Sequence, residues 1–134
     1  MTINVQGVIT LLEVFDMRRS VAFYTDILGF EIDQKWEPDG HLYWAMLRLG
    51  GAKIMLNSRY EDHARPLEPD PRRVLGHEDI ELYFDCADVD RAYEYLSQKK
   101  CGVSLPETTR YGSKQIWLTD PDGFKICLQQ PIEK

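Results

Sequence analysis

Apolar and polar positions alternate along this chain with two different periods, and the switches between them mark its elements. Residues 8–15 are mostly apolar and β-branched, the composition of a strand buried on both faces. Asp16 then stands where a helix cap is needed, and Val21, Phe23, Tyr24, Ile27 and Leu28 recur at helical spacing until Gly29. Strand-like residues return over 30–36, Pro38-Asp39-Gly40 makes a turn, and residues 42–49 form a strand. Gly50-Gly51 is a two-residue hairpin leading into a strand over 52–59. Residues 60–77, with Pro66, Pro69 and Pro71 among mixed charges, have no apolar period and read as a connector. A strand over 80–85 follows, then a helix capped by Asp88, running to about residue 100 and stopped by Gly102. Strands are expected over 103–105, over 109–118 with a break at Gly112, and over 124–129, the last two joined by Asp120-Pro121-Asp122-Gly123.

The pattern is one unit written twice. Gly51-Ala52-Lys53-Ile54-Met55-Leu56-Asn57 and Gly123-Phe124-Lys125-Ile126-Cys127-Leu128-Gln129 lie seventy-two residues apart, as do Asp16 and Asp88 at the helix starts. The predicted fold class is α+β: two tandem β-α-β-β-β modules, about 6–59 and 78–131, forming a curved, cup-like mixed sheet with helices on its outer face. All 134 residues make one domain, since a sixty-residue half would be marginal alone.

Period-two alternation then predicts which side chains meet the cleft. If Gly50 and Gly51 form the loop, Ala45, Leu47, Leu49, Ala52, Ile54 and Leu56 face the helix, and Trp44, Met46, Met55 and Asn57 face the cleft. The repeat adds Ile116, Leu118, Cys127 and Gln129, and alternation in the first and fifth strands adds Ile9, Leu11, Glu81 and Tyr83. The expected ligand-binding set is Trp44, Met46, Met55, Asn57, Glu81, Tyr83, Leu118, Cys127 and Gln129, an adaptable and mostly apolar lining. In such a cleft a lone carboxylate is either protonated or paired with a cation. For Glu81 that cation is Lys53, Lys125, Arg48 or Arg59, or else a cationic ligand held also by cation–π attraction to Trp44 and Tyr83.

Composition narrows the classes. A net charge of −6 with scattered basic residues argues against nucleic acid, and no apolar run approaches a bilayer span, so a cytoplasmic protein without membrane contact is expected. Cys86, Cys101 and Cys127 form no Cys-x-x-Cys pair and read as reduced thiols, Cys127 as an inert one in the core. His41, His63 and His77 share no ligand spacing and read as surface residues. Hydrolase and nucleotide-binding motifs are absent from the sequence.

The run from Val14 to Tyr24, continued by Leu28-Gly29-Phe30-Glu31, resembles the opening of the glyoxalase, bleomycin-resistance and extradiol-dioxygenase superfamily, the vicinal oxygen chelate proteins. Asp120-Pro121-Asp122-Gly123-Phe124-Lys125-Ile126 resembles its closing hairpin, and the likeness covers nearly the whole chain. The resemblance implies a homodimer, with the halves joined within one chain or exchanged between two. It also implies a divalent-metal site with one ligand from each of four strands, positions that fall here on Ile9, Met55, Glu81 and Cys127. Of these only Glu81 is a usual ligand, so no metal and no cofactor are expected. The leading reading is a metal-free binding protein like the bleomycin-resistance branch, holding a planar or cationic small molecule such as an antibiotic of the bleomycin type in an apolar cleft. The alternative is a metal-dependent lyase, isomerase or dioxygenase of the glyoxalase kind, with ligands displaced to Glu13, Asn57, Asp85 or Gln129.

Overall fold

A computed structural model describes residues 2–131 of the chain. Eight strands form two four-stranded mixed sheets. The first contains β1 (Thr10–Glu13), β2 (Glu31–Trp36), β3 (Trp44–Leu49) and β4 (Ala52–Asn57) in the order β1-β4-β3-β2. The second contains β5 (Glu81–Asp85), β6 (Glu107–Thr108), β7 (Ser113–Thr119) and β8 (Lys125–Pro131) in the order β5-β8-β7-β6. In each sheet the first strand runs parallel to the last, and the other pairs are antiparallel. Among the described residues no helix is long and apolar enough to cross a membrane.

The helices begin where the sequence caps them. Asp16 accepts from the backbone N–H groups of Arg18 and Arg19 at the start of α1 (Met17–Ala22), and Asp88 accepts from that of Arg91 at the start of α3 (Val89–Ser97). Past Ala22 the first helix widens into a π-turn, Phe23–Ile27, which carries both Phe23 and Tyr24 into the core. Gly29, at φ +90°, then lets the chain turn into β2.

The connector is not featureless. Asp70 caps a short helix, α2 (Pro71–Gly76), with Pro71 in its first turn, and Val74 packs over the far hairpin turn. A Cβ on Gly123, whose φ is +89°, would lie 3.3 Å from Val74 Cγ1. No strand forms over 103–105. Pro106 interrupts the run, and the contact with β7 falls instead to Ser104, whose N–H donates to Trp117 O and whose hydroxyl accepts from Trp117 N–H, both at 2.8 Å. The first strand is also not buried on both faces: Leu12 and the following Val14 are buried, whereas Leu11 is 46% exposed.

The helix-covered sides of both sheets share one core, in which Leu12, Tyr24, Leu47, Leu56, Leu96, Ile116 and Ile126 are almost fully buried. The halves are also fastened by polar groups. Asp120 accepts from Tyr24 Oη at 2.7 Å, and Asp122 accepts from Phe15 N–H at 2.8 Å and Ser20 Oγ at 3.0 Å. Phe30 meets Phe84 edge-on at 5.8 Å. The turn read as a plain hairpin is therefore a latch between the two halves.

Candidate functional site

With the cores back to back, each sheet turns its other face outward, and register fixes what that face carries. In the first sheet one rung is Leu11, Met55 and Met46, and the next is Glu13, Asn57 and Trp44. In the second sheet the matching rungs are Tyr83, Cys127 and Trp117, then Asp85, Gln129 and Gln115, with Glu81, Lys125 and Thr119 on the other side.

Strand β7 departs from the expected facing. Leu118 and Ile116 pair with Ile126 and Leu128, and Leu118 is 3% exposed, so both belong to the core side; Trp117 and Gln115 take the open face. The cause is turn length. Residues 49–52 separate the paired Arg48 and Lys53, whereas residues 120–124, one more, separate Thr119 and Lys125. Because side chains alternate with period two, one extra residue reverses the parity of a seventy-two-residue offset across that turn. Trp44, Met46, Met55, Asn57, Glu81, Tyr83, Cys127 and Gln129 do share the two open faces. Within one chain, no hydrogen bond or aromatic pair among the described residues joins the first four of these to the last four.

The second sheet carries the more elaborate chemistry. Tyr83 and Trp117 meet edge to face at 5.4 Å, on the strands either side of a fully buried Cys127. Burial, and then the charge of Glu81, push the Cys127 thiol up to about 11, so it is neither a thiolate nucleophile nor a ready soft-metal ligand near neutrality. Partial desolvation and the nearby Glu81 also raise the Tyr83 phenol above its ordinary range. Glu81 is exposed rather than sunk in an apolar pocket. Its side chain accepts from Tyr83 Oη at 3.3 Å and makes no ion pair among the described residues, because Arg59, Arg48 and Lys53 pair with Glu13, Glu31 and Asp33. Lys125 stands beside it as its cross-strand neighbour.

The metal positions implied by the resemblance can be tested on their donor atoms. Ile9 has none, Met55 offers a thioether, Cys127 a neutral buried thiol and Glu81 one carboxylate, which does not fit a divalent ion needing three or four hard donors. Among the described residues no group of three or more His, Cys, Asp or Glu side chains converges elsewhere. Glu13 is committed to Arg59 at 3.0 Å and Arg73 at 3.2 Å, and the Arg59 bond above all holds its carboxyl below the usual range. Two histidines are half-buried rather than freely exposed: His41 packs on Tyr43 at 4.2 Å with its Nε2 buried and unpartnered, and His77 stacks on Phe124 at 4.0 Å with Nδ1 2.6 Å from Asp122 O. His63 is exposed.

The tandem units, the latch and the two outward faces define a protein of one superfamily. The chain belongs to the glyoxalase/bleomycin resistance protein/dioxygenase superfamily, whose family model matches residues 8–128. Glutathione transferase FosA of Serratia marcescens is 28% identical over 119 residues, covering 87% of this chain and 74% of that protein. The crystal structure of TnmS3, an antibiotic binding protein from Streptomyces sp. CB03234, superposes with a TM-score of 0.72 at 24% identity, covering 97% of this chain and 99% of that one. A bleomycin-binding protein from Streptomyces verticillus, in complex with copper(II)-bleomycin, gives a TM-score of 0.68 at 15% identity, covering 99% and 100%. At these identities the two structures speak for the fold.

Proposed function

We propose that the protein is a binding protein that sequesters a planar, cationic small molecule, with no catalytic metal. The observation that carries this reading is the character of the open faces. Apolar and aromatic side chains, Leu11, Met46 and Met55 on one sheet and Tyr83 and Trp117 on the other, occupy the surface where relatives of the enzymatic kind need ligands. The described functions of TnmS3 and of the bleomycin-binding protein support an antibiotic as the ligand class. Trp44, Asn57 and Gln129 complete the lining on this reading, Cys127 lies buried beneath it, and Glu81 contributes negative charge. Because one chain turns its two open faces apart, each cleft is completed by a second copy, and the working unit is a homodimer. Tyr83 and Leu11, each 46% exposed in the single chain, are the residues such pairing would cover.

Thermal denaturation of chelator-treated protein tests the reading. A ligand at one hundred times its dissociation constant adds about 2.7 kcal/mol to a folded protein. The melting point is expected to rise with bleomycin-type or other aromatic cationic compounds and to stay put with zinc, nickel, manganese or iron. A metal-dependent shift would favour the catalytic alternative. Sedimentation showing a monomer at working concentration would remove the shared cleft.

A further inference from the structure

The open face of the second sheet has two chemically different ends, and only one is equipped to select a ligand by charge. At the Glu81 end, Lys125 is the cross-strand neighbour on the same face, so positive and negative charge stand side by side. At the other end, Asp85 pairs in register with Gln129 and makes no ion pair among the described residues. Gln129 Nε2 donates to Asp85 Oδ1 at 3.2 Å, and this bond fixes the amide, because a carboxylate can only accept. Gln129 Oε1 therefore turns inward, where it accepts from Ser113 Oγ at 3.3 Å and from Gln115 Nε2 at 3.4 Å. Gln115, only 5% exposed, donates its other amide hydrogen to Tyr111 Oη at 2.9 Å. The chain of amides thus has a direction, set by Asp85. Apart from one amide hydrogen of Gln129 and the hydroxyl hydrogen of Tyr111, what it leaves unused are acceptors, Gln115 Oε1 and Asp85 Oδ2.

Space lies beside Asp85. A cavity of about 610 Å³ opens along the unpaired edge of β5, and Tyr83 and Asp85 line it together with Leu49, Gly50, Tyr95 and Leu96. Tyr83 belongs both to this cavity and to the edge-to-face pair with Trp117.

We infer that Asp85, held by Gln129, which Gln115 anchors in turn, is the specificity-determining residue of the cleft: it takes the protonated amidine or amine of an aromatic ligand stacked at Tyr83 and Trp117, whose apolar remainder fills the β5-edge cavity. This rests on the binding reading above and names the ligand group that reading leaves open. Glu81 contributes less, since Lys125 offsets its field.

Calorimetric titration of the 134-residue chain with naphthamidine and its neutral isostere naphthamide tests the inference. Wild type is expected to hold the amidine at least about tenfold tighter than the amide, the size of a charge-assisted hydrogen bond. Asp85→Asn keeps an acceptor for Gln129 but removes the charge, and should abolish that preference; Asp85→Ser should do the same. Gln115→Met should reduce the preference several-fold, and Glu81→Gln should change it less than about threefold. Unchanged melting temperatures separate these effects from misfolding. Equal binding of the two probes, a preference that survives in Asp85→Asn, or a larger loss in Glu81→Gln would overturn the role of Asp85 while leaving a binding cleft in place. Binding of neither probe to wild type would overturn both the inference and the sequestration reading.

Discussion

Replacing Tyr24 with phenylalanine removes one oxygen atom from the joint between the halves. The ring is fully buried, so its packing is retained, and the change falls on the bond from Oη to Asp120 at 2.7 Å. Asp120 Oδ1 keeps the N–H groups of Asp122 at 2.8 Å and Phe124 at 2.9 Å, while Oδ2 loses the hydroxyl it accepts from. A hydrogen bond to a charged acceptor contributes roughly 1.5–3 kcal/mol, so a loss of about 2 kcal/mol is expected. For a chain of this length that corresponds to a melting point lower by about 6–8 °C. The loss depends on pH. Burial raises the pKa of Asp120 above its unfolded value, and the Tyr24 hydroxyl is first among the groups holding it down. A carboxyl with a raised folded pKa favours the fold at acid pH, and that contribution is lost as pH rises through the folded value. Without the hydroxyl the folded pKa climbs further, so the deficit of the variant is largest near neutrality and shrinks as Asp120 protonates in both proteins. Urea denaturation of wild type, Tyr24→Phe, Asp120→Asn and the double variant, near pH 7 and near pH 4.5, measures both effects. A deficit below about 0.5 kcal/mol, or one equal at both pH values, would refute a charge-assisted latch.

Two further outcomes are expected. Leu118→Ala should cost about 2–5 kcal/mol in denaturant unfolding, as buried leucines do, while Trp117→Ala should cost less stability and weaken aromatic ligands; the reverse pattern would invert the register of β7. Glu13 carries a depressed pKa because it bonds Arg59 and Arg73, so its contribution is present above the ordinary carboxylate range and lost as pH falls through the lowered folded value. Glu13→Gln should therefore speed limited proteolysis of the connector near neutrality and narrow its difference from wild type in acid.

Much of the architecture is legible because local signals and the repeat agree. Asp16 and Asp88 cap their helices, and Gly50-Gly51 closes a hairpin with Leu49 opposite Ala52. The helix in the connector carried its own signal in Asp70-Pro71, but Val74 and Leu75 alone are too few to show a period. A rigid seventy-two-residue offset misses Trp117 and Gln115 because the closing turn is one residue longer in the second half. The closing turn itself held the correction, since Asp120 to Phe124 is too long for a two-residue loop. The latch was not legible at all: nothing in a hairpin sequence says that its carboxylates reach a hydroxyl about a hundred residues away.

The repeat relates Ser20 and Tyr24, which receive the latch, to Ala92 and Leu96, which line the β5-edge cavity. It also relates the long acidic turn to the short Gly50-Gly51 hairpin across that cavity. The cavity is thus the counterpart of the latch with its polar partners removed on both sides. A chain built from two like halves has one seam riveted and the opposite seam left open.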